Sequence, residues 1–581
     1  MATKAGKKAA FSRLLKYFFK YKFQVLLAFI LMLGSNLFAL LGPYLSGKAI
    51  DAIDLKTGVD FPNVMKYCLL MAIFYVSSSI FSYVLTVVMV NLSQKISKKM
   101  RQDVFDKILS LPVGELDKVQ AGDLINRISY DIDTVNASLS NDILMVATGI
   151  ITVIGAFVGM LLTTPLLLIV IVITLPLSIY IAIKRSKVVR PLFRKRSAKL
   201  AELNGFSEEM LSGIKTIKAY GREKEIIEKF SNKNIDAVDA YYNADYYGSL
   251  IGPSVNFINN LATVLISGGG AFLYVYNLIS TGDISAFLLY ARRFFGPINE
   301  YANIMGEIQS ALAAAERVFR LLDSPSEPDD DPSCLELKDV LGNVEFKNVC
   351  FGYEKDQTII NNVSFKVSSG QNIAIVGPTG AGKTTLVNLM MRFYDPQSGE
   401  IKLDNKNIKK YTRKSLRLAY NMVLQDTWLF EGTIKENIAY GKENATFEEI
   451  KLAAKKANIA DYIESLPKKY DTLISDGGVN LSKGQKQLLT IARAMLSNAK
   501  ILILDEATSN VDTRTEILIR DAMDKLMQGK TCFIIAHRLT TIKNADLILV
   551  VKDGDIIESG KHLELLDKNG FYAEIYNAQF N

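Results

Sequence analysis

The chain has 581 residues, which is too long for one hydrophobic core and predicts at least two domains. Hydrophobic residues make up 49% of it and the mean hydropathy is +0.16, which argues against a wholly soluble protein and predicts membrane-spanning segments. Four cysteines without paired spacing argue against a disulfide scaffold, whereas the net charge of +8 fits either a nucleic-acid binder or cytoplasmic loops that follow the positive-inside rule.

The N-terminal 23 residues mix basic side chains with phenylalanine and leucine at helical spacing. This pattern predicts an amphipathic helix on the inner surface of a membrane. A nucleic-acid-binding arm is the rival interpretation, and the apolar run that follows disfavours it. A short apolar run ending in a cleavage site is missing, so we expect no cleaved signal peptide.

Six apolar runs are long enough to cross a hydrocarbon core of about 30 Å, and we predict that each is a membrane-spanning helix. Buried soluble helices are the alternative, but runs such as residues 166–173 are too long and too free of charge to favour it. The six predicted spans are approximately Gln24–Leu45, Val64–Leu92, Asp142–Leu162, Pro165–Ile183, Ile251–Ile279 and Ile284–Met305.

Charged residues between the runs predict the orientation of the spans. Basic residues follow the second span, from Lys95 to Arg101, and the fourth span, from Lys184 to Arg196. Acidic residues, among them Asp51 and Asp60, separate the first two spans. The positive-inside rule therefore places the N-terminus and both long loops in the cytoplasm. The membrane that we predict for the protein is the plasma membrane.

The two long cytoplasmic loops keep a helical period with few breakers, which predicts helices that leave the membrane and return as levers. We expect their turns, near residues 121–124 and 211–214, to contact a cytoplasmic partner. Arg292 and Arg293 fall inside the sixth run, where charge is unfavourable. They either line a translocation pathway or belong to an ion pair or a snorkelling segment, and the sequence leaves both readings open.

An acidic, proline-rich stretch, residues 324–333, follows the spans and predicts a linker with solvated charges. The composition after it is that of a soluble domain. The fold expected from the sequence is an all-α transmembrane domain of six helices with long cytoplasmic helical extensions, followed by an α/β P-loop nucleotide-binding domain. We predict the boundaries as residues 1–322 for the transmembrane domain, 323–341 for the linker and 342–581 for the nucleotide-binding domain.

A glycine-rich motif lies between an apolar strand, residues 372–376, and a predicted helix from Leu386 onward. Strand, Gly-x-x-x-x-Gly-Lys-Thr and helix is the arrangement of a P-loop, whose backbone N–H groups bind phosphates. A chance glycine-rich turn does not explain the full spacing. The predicted phosphate-binding residues are Gly377, Pro378, Thr379, Gly380, Ala381, Gly382, Lys383, Thr384 and Thr385, with Thr384 also a ligand for Mg²⁺.

Further polar residues follow apolar strands of the same domain. Asp505 and Glu506 end the run that starts at Ile501, which suits a Mg²⁺ ligand and a residue that polarises the attacking water. His537 ends another apolar run and could sense the γ-phosphate. Gln425 could contact Mg²⁺ or the attacking water, although a plain surface glutamine is the better reading of that residue alone.

Two more positions are candidates for nucleotide contact. Tyr353 precedes the P-loop and could stack on adenine, or could simply end a strand. Ser482 is a suitable N-cap for a helix that starts in Leu481–Gln485, and this helix start is a second anion site. Since the P-loop already provides one phosphate cradle, a second one suggests that another chain closes over the nucleotide.

Taken together, these motifs resemble those of the ATP-binding cassette exporters over essentially the whole chain. The resemblance implies that residues 377–385 are Walker A and that Tyr353 stacks on adenine. It further implies that Gln425 is the Q-loop glutamine, that Ser482, Gly484 and Gln485 belong to the signature, and that residues 509–512 form the D-loop. Asp505 is then the Walker B aspartate, Glu506 the catalytic glutamate and His537 the switch histidine.

The family also implies a half-transporter that works as a dimer, with ATP and Mg²⁺ held between Walker A of one chain and the signature of the other. This sequence departs from the pattern in one respect that matters: Lys483 replaces the first glycine of Leu-Ser-Gly-Gly-Gln. Residues 475–477 also depart from the usual stretch before the signature. An intact Glu506 with an altered signature favours one subunit of a heterodimer, and a homodimer that tolerates the lysine is the alternative.

The function expected from the sequence is ATP-driven export of amphipathic small molecules, lipids or peptides by alternating access. A lipid bilayer and a hydrophobic or amphipathic substrate are the expected partners, without nucleic acid. An ATP-gated channel or regulator is the second candidate. A soluble ATPase that acts on nucleic acid is the third, and the apolar spans argue against it.

Overall fold

The structure, a computed structural model, describes residues 4–54, 58–354, 357–424, 427–475, 481–497, 499–505, 512–535 and 542–580. The chain folds as two compact units. The first contains Met1–Leu109 and Ala121–Ser324, and the second contains Ser110–Gln120 and Pro325–Asn581. A short stretch between two helices of the first unit therefore belongs to the second.

The first unit is helical apart from the two-residue strands β1 (Ile53–Asp54) and β2 (Gly58–Val59), which form an antiparallel hairpin. Its helices are α1 Lys4–Phe19, α2 Lys22–Asp51, α3 Phe61–Leu109, α5 Ala121–Asn126, α6 Ile132–Ala137, α7 Ile143–Thr163, α8 Leu168–Ser212, α9 Ile214–Ala219, α10 Glu223–Ser249, α11 Ile251–Val275 and α12 Thr281–Leu322, while α4, Val113–Leu116, belongs to the second unit. Single π-helical turns, Arg127–Asp131 and Ser138–Asp142, join α5, α6 and α7, and a 3₁₀ turn, Pro165–Leu167, precedes α8.

Five helical segments of the described chain are long and apolar enough to cross a membrane: Lys22–Asp51, Phe61–Leu109, Ala121–Thr163, Pro165–Ser212 and Glu223–Val275. They contain the first four predicted spans and most of the fifth, which was predicted to end at Ile279 whereas its helix ends at Val275. The sixth predicted span lies within α12, which is not among the five because Asp283, Arg292, Arg293 and Glu300 interrupt its apolar sequence.

Several helices extend far beyond the thickness of a bilayer. Helix α3 has 49 residues and α8 has 45, so at 1.5 Å per residue each is about 70 Å long. This confirms the predicted helical extensions of the spans. The break in the first loop includes Pro112, the N-cap of α4; proline disfavours continuation of a helix because it lacks a backbone N–H, although α8 and α12 contain prolines in their interiors.

The core of the first unit lies where α12 packs on α2, α7 and α11. Buried aromatic side chains of α12, among them Phe287, Tyr290 and Phe294, contact Met160 and Ile266 in one apolar cluster. Tyr290 also donates from Oη to the carbonyl oxygen of Leu40 over 2.9 Å. Close side-chain packing therefore holds one face of α12 against its neighbours.

Helix α1 packs against the same unit. The ring of Tyr17 stacks on that of Phe319 with 6.2 Å between centroids, and its hydroxyl donates to Asp103 Oδ2 over 2.8 Å. Arg13 forms an ion pair with Asp323 at 2.6 Å. These contacts place the basic N-terminal helix beside the last turns of α12, while Phe11 and Phe19 remain exposed.

The second unit is built around two sheets. The strands of the four-stranded antiparallel sheet, in the order β4-β3-β6-β7, are β3 Val344–Phe351, β4 Ile360–Val367, β6 Ser398–Leu403 and β7 Lys406–Asn407. Those of the six-stranded sheet, in the order β14-β13-β5-β12-β11-β8, are β5 Asn372–Val376, β8 Tyr420–Val423, β11 Ile501–Asp505, β12 Thr531–Ile535, β13 Leu547–Lys552 and β14 Asp555–Gly560. A separate hairpin pairs β9, Gly432–Thr433, with β10, Leu473–Ile474.

Every neighbouring pair in the six-stranded sheet is parallel except β13 with β14. Ile501 and Ile503 of β11 face one apolar cluster, and Leu502 and Leu504 face another. Both faces of the sheet are buried, which explains why its strands are continuous apolar runs. The helices of this unit are α13 Lys383–Met390, α14 Arg413–Leu418, α15 Ile434–Ala439, α16 Phe447–Lys456, α17 Ala460–Ser465, α18 Lys483–Leu496, α19 Thr513–Met527, α20 His562–Asp567 and α21 Phe571–Phe580, with 3₁₀ turns at Ile408–Lys410 and Lys469–Asp471.

The acidic stretch after α12 is part of the second unit and is only partly solvated. Glu327 accepts two hydrogen bonds from the guanidinium of Arg417, at 3.0 and 2.5 Å. Asp330 accepts from the backbone N–H of Arg413 at 2.8 Å and from its side chain at 3.1 Å. The prediction of solvated charges is therefore wrong for these two residues, because nearby arginines pair with them.

Candidate nucleotide-binding site

The glycine-rich loop connects β5 to α13, the strand and helix that its sequence predicts. Gly380 and Gly382 have φ values of +84° and +104°, in the left-handed region that other residues rarely adopt. Gly377 lies so close to β13 that a Cβ atom would be 2.1 Å from the carbonyl oxygen of Val551. Glycine is thus required at three points for the loop to curl over the end of the sheet.

Lys383 starts α13 and folds back over this loop. Its Nζ donates to the carbonyl oxygens of Gly377 and Pro378, at 2.7 and 2.9 Å. Burial lowers the pKa of the Lys383 ammonium, and the negative charge of Asp505 opposes this shift. The amino group is therefore held within the loop and near the carboxylate that ends β11.

The two threonines after Lys383 have different surroundings. Thr384 is exposed in the first turn of α13, whereas Thr385 is buried. The hydroxyl of Thr385 lies 3.2 Å from Tyr353 Oη, within hydrogen-bonding distance. The ring of Tyr353 lies edge-on to Phe351 and Tyr394, with centroids 5.1 and 5.0 Å away, and the residue is 41% exposed. An aromatic surface is thereby fixed beside the loop.

The parallel strands bring other predicted residues to the edge of the sheet that carries the loop. Asp505 is opposite Ile535 of β12, and Ile535 is opposite Ile375 of β5. Strand β8 pairs with the other side of β11 and ends at Val423. Gln425, Glu506 and His537, which follow β8, β11 and β12 in the sequence, lie outside the described residues, as do residues 509–511 of the predicted D-loop.

The signature-like stretch starts α18. Ser482 is its N-cap: the hydroxyl oxygen accepts from the backbone N–H of Gln485 at 3.2 Å, and the Gln485 side chain accepts from the N–H of Ser482 at 2.9 Å. Gly484 is buried, and Lys483 is exposed on the first helical residue. A cation at this end of a helix opposes the helix dipole, so helix stability does not account for the lysine.

Comparison with known proteins assigns the chain to a protein family. Residues 25–298 match the family described as ABC transporter transmembrane region, and residues 360–509 match the family described as ABC transporter. The chain is 40% identical over 573 residues to the ABC transporter ATP-binding protein YfiC of Bacillus subtilis, covering 99% of this chain and 94% of the relative. This chain belongs to the ABC transporter family.

Two further similarities narrow the class to ABC exporters. A fatty acid ABC transporter ATP-binding/permease protein of Mycobacterium bovis is 41% identical over 522 residues, which is 90% of this chain and 82% of the relative. The solved structure of a bacterial Atm1-family ABC exporter with ATP bound aligns with a TM-score of 0.77 at 30% identity, covering 96% of this chain and 98% of the other. The protein is a membrane-embedded exporter that binds ATP, couples its hydrolysis to transport and functions as a dimer.

The structure of this ABC exporter also reveals a contact that the sequence analysis missed. Tyr394 donates from its hydroxyl to Asp117 Oδ2 over 2.6 Å, and a Cβ atom on Gly114 would be 2.6 Å from the same ring. Burial, together with Asp117, raises the pKa of the Tyr394 hydroxyl above its ordinary value, so the hydroxyl stays a donor. Segment 110–120, which directly precedes the predicted turn at 121–124, is therefore packed within the second unit.

Helix α18 is bound to the segment that follows Gln425 in the sequence. Arg493 of α18 donates to the backbone oxygen of Asn437 over 2.9 Å and to that of Trp428 over 3.2 Å. Its guanidinium also lies 5.4 Å from the centroid of the Tyr440 ring. No local pattern in the sequence predicts this contact, because Arg493 and Trp428 are 65 positions apart.

Proposed function

We propose that this protein exports amphipathic molecules by alternating access, and that two ATP molecules are bound between the P-loop of one chain and residues 482–485 of the other. The arrangement of the loop around Lys383 is the observation that carries the proposal. A phosphate group is a stronger acceptor than the carbonyl oxygens of Gly377 and Pro378, so it can recruit the ammonium that they hold. Residues 377–385 would then bind the phosphates, and Tyr353 would stack on adenine.

We also propose that the site uses Mg²⁺. Thr384, Asp505 and Gln425 would hold the ion, and their donor atoms are all oxygens, as Mg²⁺ prefers. The exposed hydroxyl of Thr384 and the position of Asp505 on the same edge of the sheet support this assignment. The ion would supply positive charge beside the β- and γ-phosphates.

The proposed chemical step rests on residues that follow the strands of the same sheet edge. Glu506, directly after β11, would polarise the attacking water, and His537, two residues after β12, would contact the γ-phosphate. Ser482, Gly484 and Gln485 would close the site from the other chain. The first-turn amides of α18 support that role, since a helix N-terminus favours an anion.

For the transport cycle, we propose that ATP binding favours the closed pair of cassettes, and that hydrolysis and product release restore the inward-facing state. ATP shifts this equilibrium only as far as it binds the closed state more tightly than the open one. The name of the fatty acid transporter relative, with the apolar surfaces of the spans, supports an amphipathic substrate.

We favour a heterodimer in which this chain supplies a complete Walker B and an altered signature, and we retain a homodimer as the alternative. The support is Lys483, exposed at the start of α18, where it would face the nucleotide of the partner. Basic loops after the second and fourth spans support a multi-pass protein of the plasma membrane with a cytoplasmic N-terminus and ATP-binding domain.

ATP-driven uptake of a labelled amphiphile into inside-out vesicles tests the proposal. We expect uptake with the wild-type protein and none with Lys383→Ala, because that variant lacks the ammonium that binds the phosphates. ATP-dependent ionic current across a bilayer without uptake would instead establish a gated channel and overturn the export proposal. The two measurements are made on the same purified dimer, so that assembly is held constant.

A further inference from the structure

Arg292 and Arg293 lie in α12 within the sixth predicted span, Ile284–Met305. They are 11 and 12 residues after Thr281, the first residue of the helix, which at 1.5 Å per residue is about 17 Å along its axis. The start of α12 is level with the end of α2, because Asp51 accepts a hydrogen bond from the N–H of Gly282 over 2.8 Å. A position about 17 Å from this level lies inside a hydrocarbon core of about 30 Å.

The charge of these arginines is not neutralised within the described part of the chain. Neither side chain takes part in a salt bridge or a hydrogen bond there. Asp283 is engaged in the capping box with Ser280, and Glu300 is two helical turns away from Arg292. An ion pair that only fixes helix packing, one of the two sequence-based readings, therefore finds no support among these residues.

Snorkelling does not explain the pair either. Long basic side chains reach the membrane surface from positions near the ends of a span, whereas these two are eight and nine residues from the nearer end of the predicted one. A charge at that depth is unfavourable unless it faces water or a counter-charge. The arginines therefore need an anion that the described residues do not supply.

The surroundings of Arg292 leave room for such an anion. The opposite face of α12 is the buried one, with Phe287, Tyr290 and Phe294 in the apolar core. Arg292 is exposed, and Gly296, one turn further on, is also exposed; a Cβ atom there would have no other atom within 4 Å. Glu300, another turn along, continues this open polar face.

We propose that Arg292, with Arg293 beside it, binds the negatively charged headgroup, a carboxylate or a phosphate, of a single-chain amphipathic substrate within the membrane domain. This inference rests on the proposed export function and adds the charge of the substrate to it. A guanidinium binds carboxylates and phosphates through two parallel hydrogen bonds, which fixes the position of the headgroup. The hydrocarbon chain of the substrate would lie along the apolar side chains of neighbouring helices.

The test uses the purified dimer in liposomes and three probes: laurate, its neutral methyl ester and dodecyl phosphate. ATPase stimulation and ATP-driven transport are measured for wild type, Arg292→Gln and Arg292→Lys. We expect Arg292→Gln to raise the half-maximal concentration of laurate and of dodecyl phosphate about tenfold or more and to leave that of the ester unchanged. Arg292→Lys retains the charge and should recover part of the response.

Arg222→Gln is the matched control, since Arg222 is an arginine outside the spans that pairs with Glu225. We expect it to respond as wild type does to all three probes. Equal loss of response to laurate and to the ester in Arg292→Gln would show a packing role and overturn the proposal. So would an unchanged response to laurate, or a wild-type protein that transports the ester and ignores both anions. Transport of none of the three by wild type would instead count against the export function.

Discussion

Tyr394 donates a hydrogen bond of 2.6 Å to Asp117 Oδ2, and its ring lies edge-on to that of Tyr353 with 5.0 Å between centroids. Tyr353 in turn reaches Thr385 in the P-loop helix at 3.2 Å. These contacts form a continuous path from segment 110–120, which joins α3 to α5, to the place where adenine is expected. We expect this path to carry a movement of α3, which leads into segment 110–120, to the nucleotide.

This path predicts a selective defect in Tyr394→Phe. The variant keeps the ring that supports Tyr353 and removes only the donor to Asp117, so we expect an unchanged KM for ATP and a several-fold loss of substrate-stimulated ATPase. Tyr394→Leu removes the ring as well and should also raise the KM. Steady-state ATPase assays with and without transported substrate distinguish the two. Full stimulation in Tyr394→Phe would mean that the hydrogen bond plays no part in coupling.

Glu506→Gln should bind ATP normally and hydrolyse it at least a hundredfold more slowly, because removal of a general base costs a factor of about 10² to 10⁴. Single-turnover hydrolysis and equilibrium ATP binding are measured on the same preparation. Glu516→Gln, in α19, provides a control for loss of a carboxylate elsewhere in the domain. Hydrolysis at the wild-type rate would remove Glu506 from the role assigned to it.

Lys483→Gly should raise ATPase activity several-fold if the protein is a homodimer, because it removes a cation from both signature stretches. In a heterodimer the effect should be confined to the nucleotide site that this chain completes for its partner. Lys486→Ala, a lysine one turn further along α18, serves as the control. ATPase activity is measured for this chain purified alone and for the complex with its partner. An unchanged activity in both would show that Lys483 has no effect on ATP turnover.

Gly382→Ala should destabilise the P-loop and abolish nucleotide binding. Alanine in the left-handed region costs about 1–2 kcal/mol. In addition, its Cβ would lie 2.8 Å from Ile360 Cδ1. Gly529 has a φ of +71° and open space around it. Gly529→Ala is therefore the control, because it introduces the backbone strain without a steric clash. Thermal unfolding with and without ATP should show stabilisation by ATP in Gly529→Ala and not in Gly382→Ala; the reverse result would contradict the loop geometry.

Local patterns in the sequence predicted much of the fold and of the site. The apolar runs predicted the membrane helices, and the P-loop spacing predicted the strand, loop and helix around Lys383. Parallel pairing then explains why Asp505 lies near that loop. Each of these features depends on neighbours within one or two elements, which is the range that periodicity and motif spacing describe.

Contacts between distant parts of the chain could not be predicted in the same way. Asp117 and Tyr394 are 277 positions apart, and neither belongs to a motif that points to the other. The ion pairs of Glu327 and Asp330 were missed for the same reason, since an acidic proline-rich stretch indicates exposure unless its arginine partners are known. Pro112 was a visible breaker, yet the sequence alone did not show that the chain enters the second unit there.

The pairing of Glu327 with Arg417 has a mechanical consequence. Helix α12 ends at Leu322, and Glu327 is already fixed to the second unit, so only residues 323–326 separate the two. The five Cα–Cα steps from Leu322 to Glu327 span at most about 18 Å when fully extended. Such a short tether has little slack to absorb a displacement, so it transmits force between the helix end and the domain it anchors.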